Sequence, residues 1–152
     1  MINNDVLRRL RYALDYNDIK LVQICQLSGV KIETENIKNY TAKETDSNFV
    51  ECPTSVLEAF LDGLIVEKRG PSDNKNKNAS NFFNNNVILR KLKIAFEYKD
   101  EDILRIFKNK DFILSKSELS AFFRKKGHRN YKECGDQVLR NFLNGLVLEI
   151  RK

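Results

Sequence analysis

The sequence predicts an all-α protein made of two homologous helical units of about four helices each, pseudo-twofold related and docked. Three observations predict it. The stretch ECPTSVLEAFLDGL at 51–64 returns as ECGDQVLRNFLNGL at 133–146, 82 positions later. The same offset holds without a gap over most of the chain, and a repeat of this kind settles the organisation before anything else. Val6–Arg11 aligns with Ile88–Lys93, then Ala13, Tyr16, Asp18 and Ile24 with Ala95, Tyr98, Asp100 and Ile106, and Gly63-Leu64 with Gly145-Leu146. Within each copy apolar residues recur at three- and four-residue spacing, the signature of one helix face, and Pro is scarce, with 2 in 152 residues. The boundaries that follow are a first unit over 1–70, an Asn/Lys-rich linker over 71–84 and a second unit over 85–152. A unit of roughly 70 residues buries only about 60% of its extended-chain surface and is marginal alone, so the two are expected to share a core.

The first helix is expected to be capped by Asn4 or Asp5, with Val6, Leu7, Leu10, Ala13 and Leu14 on one face. Its second copy carries Ile88, Leu89, Leu92, Ala95 and Phe96, and starts at Asn85 or Asn86. Asp18 is placed to cap a second helix bearing Leu21, Val22, Ile24 and Cys25, and Gly29 to stop it, because glycine takes positive φ without a Cβ clash. The repeat of this helix carries Ile103, Leu104, Ile106 and Phe107 and ends near 109–111 with no glycine to stop it. A short third helix follows. Ser115 and Glu118 have capping-box spacing, and Leu119, Phe122 and Phe123 face inward; Ile37 and Tyr40 hold the equivalent places in the first copy. The fourth helix is the repeated phrase itself. Pro53 suits its first position, and its stripe is Val56, Leu57, Phe60, Leu61, Leu64 and Ile65, or Val138, Leu139, Phe142, Leu143, Leu146 and Val147. The spacing runs through Gly63 and Gly145; the rival is a helix that stops there, with Leu64–Arg69 as a short strand. Retaining a glycine inside both helices suggests close approach to a neighbour, with the other unit's fourth helix as the candidate.

The copies differ in charge. Residues 1–75 carry a net −2 and residues 76–152 a net +8. The difference is sharpest before the fourth helix. Residues 42–49 read AKETDSNF, whereas 124–132 read RKKGHRNYK. The shared Asn and aromatic imply one loop scaffold anchored by Phe49 and Tyr131. The candidate binding residues are therefore Arg124, Lys125, Lys126, His128, Arg129, Asn130, Tyr131 and Lys132. Cations beside an aromatic suit a phosphate backbone, and the partners this suggests are nucleic acid, RNA or DNA, or an acidic protein surface. The bland alternative is a solvated loop. Ile24–Val30 has the look of a helix-turn-helix, but Glu35 and Lys38 fall where the recognition helix should be apolar, and any αα-hairpin fits as well.

No catalytic pattern stands out, and no enzyme is expected. The chain has one His and three scattered Cys, without metal-ligand spacing. Neither a phosphate-binding loop nor a dinucleotide glycine pattern is present, so no metal and no cofactor are expected. Cys52 and Cys134 precede the fourth helices, where a helix dipole lowers a thiol's pKa. Glu51 and Glu133 oppose that shift, neither thiol has a second Cys at redox spacing, and buried structural thiols are the better reading. A thiol-dependent redox role stays open as a third function, after a non-catalytic binding module and a protein-interaction adaptor. No apolar run nears the roughly 18 residues of a membrane span, and the start of the chain lacks a signal peptide's apolar core. The expected location is the cytoplasm.

Laid out this way, the chain resembles the YehS-like family, small bacterial proteins built from two copies of a domain of unknown function. The residues that carry the likeness are Asn3–Arg8 with Leu10–Tyr12, Phe60–Ile65, Phe123–Lys125, Gly127-His128, Asn130-Tyr131, Cys134–Gln137 and Leu139–Leu143. It spans nearly the full length apart from the Asn-rich linker and departs most at 35–44. It implies a tandem helical domain and brings no activity, ligand or catalytic residue with it.

Overall fold

The computed structural model of the protein describes residues 1–71 and 82–151. Most of the expected linker lies outside the described residues. Eight helices make up the regular structure among the described residues: α1 (Asn3–Leu14), α2 (Asp18–Leu27), α3 (Thr34–Thr41), α4 (Thr54–Arg69), α5 (Asn85–Phe96), α6 (Asp100–Lys108), α7 (Lys116–Phe122) and α8 (Asp136–Arg151). Each of the last four starts 82 positions after its counterpart. The chain forms two compact units, Met1–Lys75 and Asn76–Lys152.

Each unit encloses its own core. In the first, Val6, Leu7 and Leu10 of α1, Leu21 and Ile24 of α2, Ile37 of α3, and Leu57, Phe60, Leu61 and Leu64 of α4 are all buried. In the second, Leu89, Leu92, Ile103, Ile106, Phe107, Leu119, Phe122, Leu139, Phe142 and Leu146 are buried likewise. The Phe107 and Phe142 rings lie 5.4 Å apart. The predicted inward faces hold in their central residues, while Leu14, Val22, Tyr40, Ile65, Phe96, Leu104, Phe123, Val138 and Val147 are only partly covered.

Several helix starts shift by one to three residues from expectation, for local reasons. Asn17, not Asp18, caps α2, its Oδ1 accepting the Lys20 N–H at 2.8 Å. Asn84 caps α5 in the same way through the Val87 N–H at 3.1 Å. At α1 the cap position is Ile2, and Asp5 reaches back to accept its N–H at 3.2 Å. Pro53 sits at the cap of α4 rather than inside it. The Ser115–Glu118 box forms as expected, with Glu118 N–H donating to Ser115 Oγ at 3.0 Å and Ser115 N–H to Glu118 Oε1 at 2.9 Å. Gly29 follows α2 with φ +93°, and Asp111, its counterpart, takes φ 60° without being glycine. Aspartate tolerates that left-handed conformation better than most residues.

Both fourth helices run through their glycines. A Cβ built on Gly63 would stand 1.8 Å from the Ile24 carbonyl oxygen, and one on Gly145 2.1 Å from that of Ile106. The glycine is thus the seat on which the second helix of the same unit rests, α2 on α4 and α6 on α8. This corrects the expectation that the glycine faces the other unit's fourth helix. The correction has a sterically clear cause: both short second helices press a backbone carbonyl against the long helix, with the Cγ2 of the same isoleucine just beyond it. Around this contact Ser28 Oγ donates to Ala59 O at 2.8 Å, and Asn109 Nδ2 to Gly145 O at 3.2 Å.

Candidate functional site

The loop from α7 to α8 is held from beneath by one buried side chain. Asn86, the second residue of α5, donates from Nδ2 to Phe122 O at 3.0 Å and to Lys132 O at 2.8 Å, and its Oδ1 accepts the Cys134 N–H at 2.8 Å. An amide supplies two donors and an acceptor, so it closes both ends of the loop at once. Asn4 does the same in the first unit, with Tyr40 O at 3.0 Å, Val50 O at 2.9 Å and Cys52 N–H at 2.8 Å. These asparagines are the only buried polar residues among those described. Asn3 and Asn85 add a second tie, from Nδ2 to Cys52 O and Cys134 O, each at 3.0 Å.

The two loops also share the hydrogen bonds of their turns, although Gly127 takes φ +99° where its counterpart Thr45 does not take positive φ. Asp46 N–H donates to Lys43 O and Phe49 N–H to Asp46 O, as His128 N–H does to Lys125 O and Tyr131 N–H to His128 O. What differs is the surface. In the first unit Asp46 turns its carboxylate onto the Lys43 N–H at 3.0 Å, and the loop carries Lys43, Glu44 and Asp46. In the second, Arg124, Lys125, Lys126, His128, Arg129, Asn130 and Lys132 are all exposed, and Tyr131 is half-buried.

The structure brings the predicted residues into one short loop and gives several a defined place. The Tyr131 hydroxyl accepts from Asn84 Nδ2 at 3.0 Å, anchoring the loop to the cap of α5. His128 Nδ1 accepts the Asn130 N–H at 2.9 Å, which leaves its hydrogen on Nε2 in the neutral ring. Lys126 Nζ lies 4.4 Å from the centroid of the Phe82 ring and 5.8 Å from that of Tyr131. The Glu118 carboxyl is held below its ordinary range chiefly by the Ser115 N–H, then the Ser115 side chain, with a smaller contribution from the charge of Lys132. Arg124, Lys125 and Arg129 have no carboxylate partner among the described residues.

Sequence reasoning missed Phe82, Asn84 and Asn86 as parts of this site. Phe82 is an apolar residue in a polar linker sequence, but its place beside Lys126 depends on contacts distant in sequence. Asn86 left a better signal. It recurs at the repeat offset as Asn4, together with the Cys52/Cys134 pair whose backbone it holds.

The thiols lie inside the two units. Cys25, Cys52 and Cys134 are all free and buried. Burial pushes Cys52 and Cys134 up to about 12 and Cys25 up to about 11. A thiol kept protonated at neutral pH is a poor nucleophile. Among the described residues no three His, Cys, Asp or Glu side chains converge as a metal site, and no helix is long and apolar enough to cross a membrane. In the first unit a hollow of about 480 Å³ opens between α1, Asn17 and the end of α3. Arg11, which lines it, is committed to Asp18 at 2.8 Å, Tyr16 O at 3.1 Å and Thr41 Oγ1 at 3.1 Å.

The protein is thus a tandem of four-helix units whose loops share one amide clamp and whose second loop is strongly basic. The family described as "Protein of unknown function (DUF1456)" matches it twice, over residues 3–70 and 85–152. The chain belongs to that family. It is also similar to "Uncharacterized protein YehS" of Escherichia coli (strain K12), with 44% identity over 148 residues that cover 97% of this chain and 95% of that protein. No solved structure matches the chain.

Proposed function

We propose that the protein is a non-catalytic binding module whose second unit holds the phosphate backbone of a nucleic acid with the loop 124–132. The observation that carries this reading is the contrast between two loops on one scaffold. Identical backbone ties support an acidic surface in the first unit and a cationic one in the second, so the charge is not required by the fold. A loop that is clamped at both ends presents its cations with little ordering left to lose on binding.

The test is binding of labelled oligonucleotides to the full chain as salt is raised. Five cations on phosphates imply an affinity that falls by about two orders of magnitude between about 50 and 200 mM salt. Changing Lys125, Lys126, Arg129 and Lys132 together to Ser should leave each position's stability within about 0.5 kcal/mol. The same change should weaken binding and flatten the salt slope by roughly 0.7–0.9 for each phosphate no longer neutralised. Unchanged binding would place the site elsewhere.

A second reading, a protein-interaction adaptor, draws on α2. Ile19 is 60% and Leu27 45% exposed there, although α2 also buries Leu21, Ile24 and Cys25. Their counterparts are Glu101 on α6 and Asn109 just after it, so that apolar pair belongs to the first unit alone. The thiol-dependent role is the weakest of the three, given the burial of every thiol.

A further inference from the structure

We infer that the strand held by this loop is single, and that one of its bases stacks on the ring of Phe82. The inference rests on the nucleic-acid reading above and adds what the site recognises besides charge. Phe82 is 41% exposed, and the Lys126 ammonium stands over its ring, 4.4 Å from the centroid. Tyr131 also faces that ammonium, at 5.8 Å, and is fixed by Asn84. The loop therefore sets a cation between reach of two aromatic rings, and exposed cations flank it in sequence on both sides.

An exposed cation–π contact is weaker than a base stacked on an aromatic ring. A base arriving at Phe82 can take the place of the ammonium, which then follows the phosphate. Every base has a π-face, so the platform is tolerant of sequence. Only an unstacked strand offers that face, because in a duplex it is covered by the neighbouring pairs. The cations also lie on a loop, not along a helix or ribbon able to enter a major groove. The adjoining α7 is spent on the core through Leu119 and Phe122. The Nε2–H of His128 and the exposed Asn130 side chain stand on the same loop as donors for a base edge.

The experiment is fluorescence anisotropy of the full chain with four labelled probes of about 12 nucleotides: oligothymidine, oligouridine, an abasic strand and a duplex. Both single strands should bind more tightly than the abasic strand and the duplex, and the tighter of the two names the preferred sugar. Phe82→Leu should weaken binding to the single strands about tenfold, leave the abasic strand and the salt slope unchanged, and leave the melt unchanged. Phe82→Tyr should restore the affinity. Equal binding of abasic and base-bearing strands, or no effect of Phe82→Leu, would overturn the stacking inference and leave the phosphate reading standing. No binding of any probe at about 50 mM salt would remove both.

Discussion

Asn86→Ala is expected to lower the free energy of unfolding by about 3–5 kcal/mol, read from the denaturant midpoint. The side chain is buried, and three backbone groups depend on it: the carbonyls of Phe122 and Lys132 and the N–H of Cys134. Each orphaned buried group costs about 1–3 kcal/mol. Water can reach the Lys132 carbonyl more readily than the other two, which keeps the sum below its upper limit. Asn86→Asp should be no better. It keeps the acceptor for Cys134 but turns an oxygen toward two carbonyls and buries a charge. Asn4→Ala should behave alike in the first unit, where Tyr40, Val50 and Cys52 lose the same partner. A loss below about 1 kcal/mol at either position would show that the loops are held by something else.

Gly63→Ala and Gly145→Ala should each destabilise by about 1–3 kcal/mol or more, although alanine is the better helix former by about 1 kcal/mol. The added methyl meets the Ile24 carbonyl carbon at 2.7 Å as well as its oxygen, and the Ile106 carbonyl carbon at 3.0 Å. These are backbone atoms and cannot rotate away, so the second helix must lift off the fourth. Gly135→Ala is the matched control, since nothing lies within 4 Å of its Cβ position. It should change stability by less than about 0.5 kcal/mol. Stabilisation by Ala at 63 or 145 would mean that the close approach is not present in solution.

What the sequence disclosed follows the range of the interactions. The helices were legible because their apolar spacing is local and was written twice, as in Leu57, Phe60, Leu61 and Leu64 and their repeats. The Ser115 box and the stop at Gly29 were legible for the same reason. Cap residues moved by one position because Asn17 and Asp18, or Asn84 and Asn85, are chemically equivalent candidates side by side, and only backbone geometry separates them. Asn4 was misread as a cap because an asparagine near a helix start ordinarily is one. Its actual work lies 36 to 48 residues away, at Tyr40 and Cys52. The glycine seats were half legible: a glycine kept in both helices signalled a close neighbour but not which one. The loop charge was plain, whereas the ring beside Lys126 needed the fold to bring Phe82 back to it.

On the proposed reading the two loops are interchangeable in architecture and different in function. This is tested most directly by writing residues 42–50, AKETDSNFV, in place of 124–132 in the full chain and measuring its melt and its oligonucleotide binding together. The clamp touches the loop ends through backbone atoms, which the replacement preserves. The predicted result is a cooperative melt within a few degrees of the parent, corresponding to less than about 1 kcal/mol, with binding and its salt dependence abolished. Binding that survives the exchange unchanged would contradict the account.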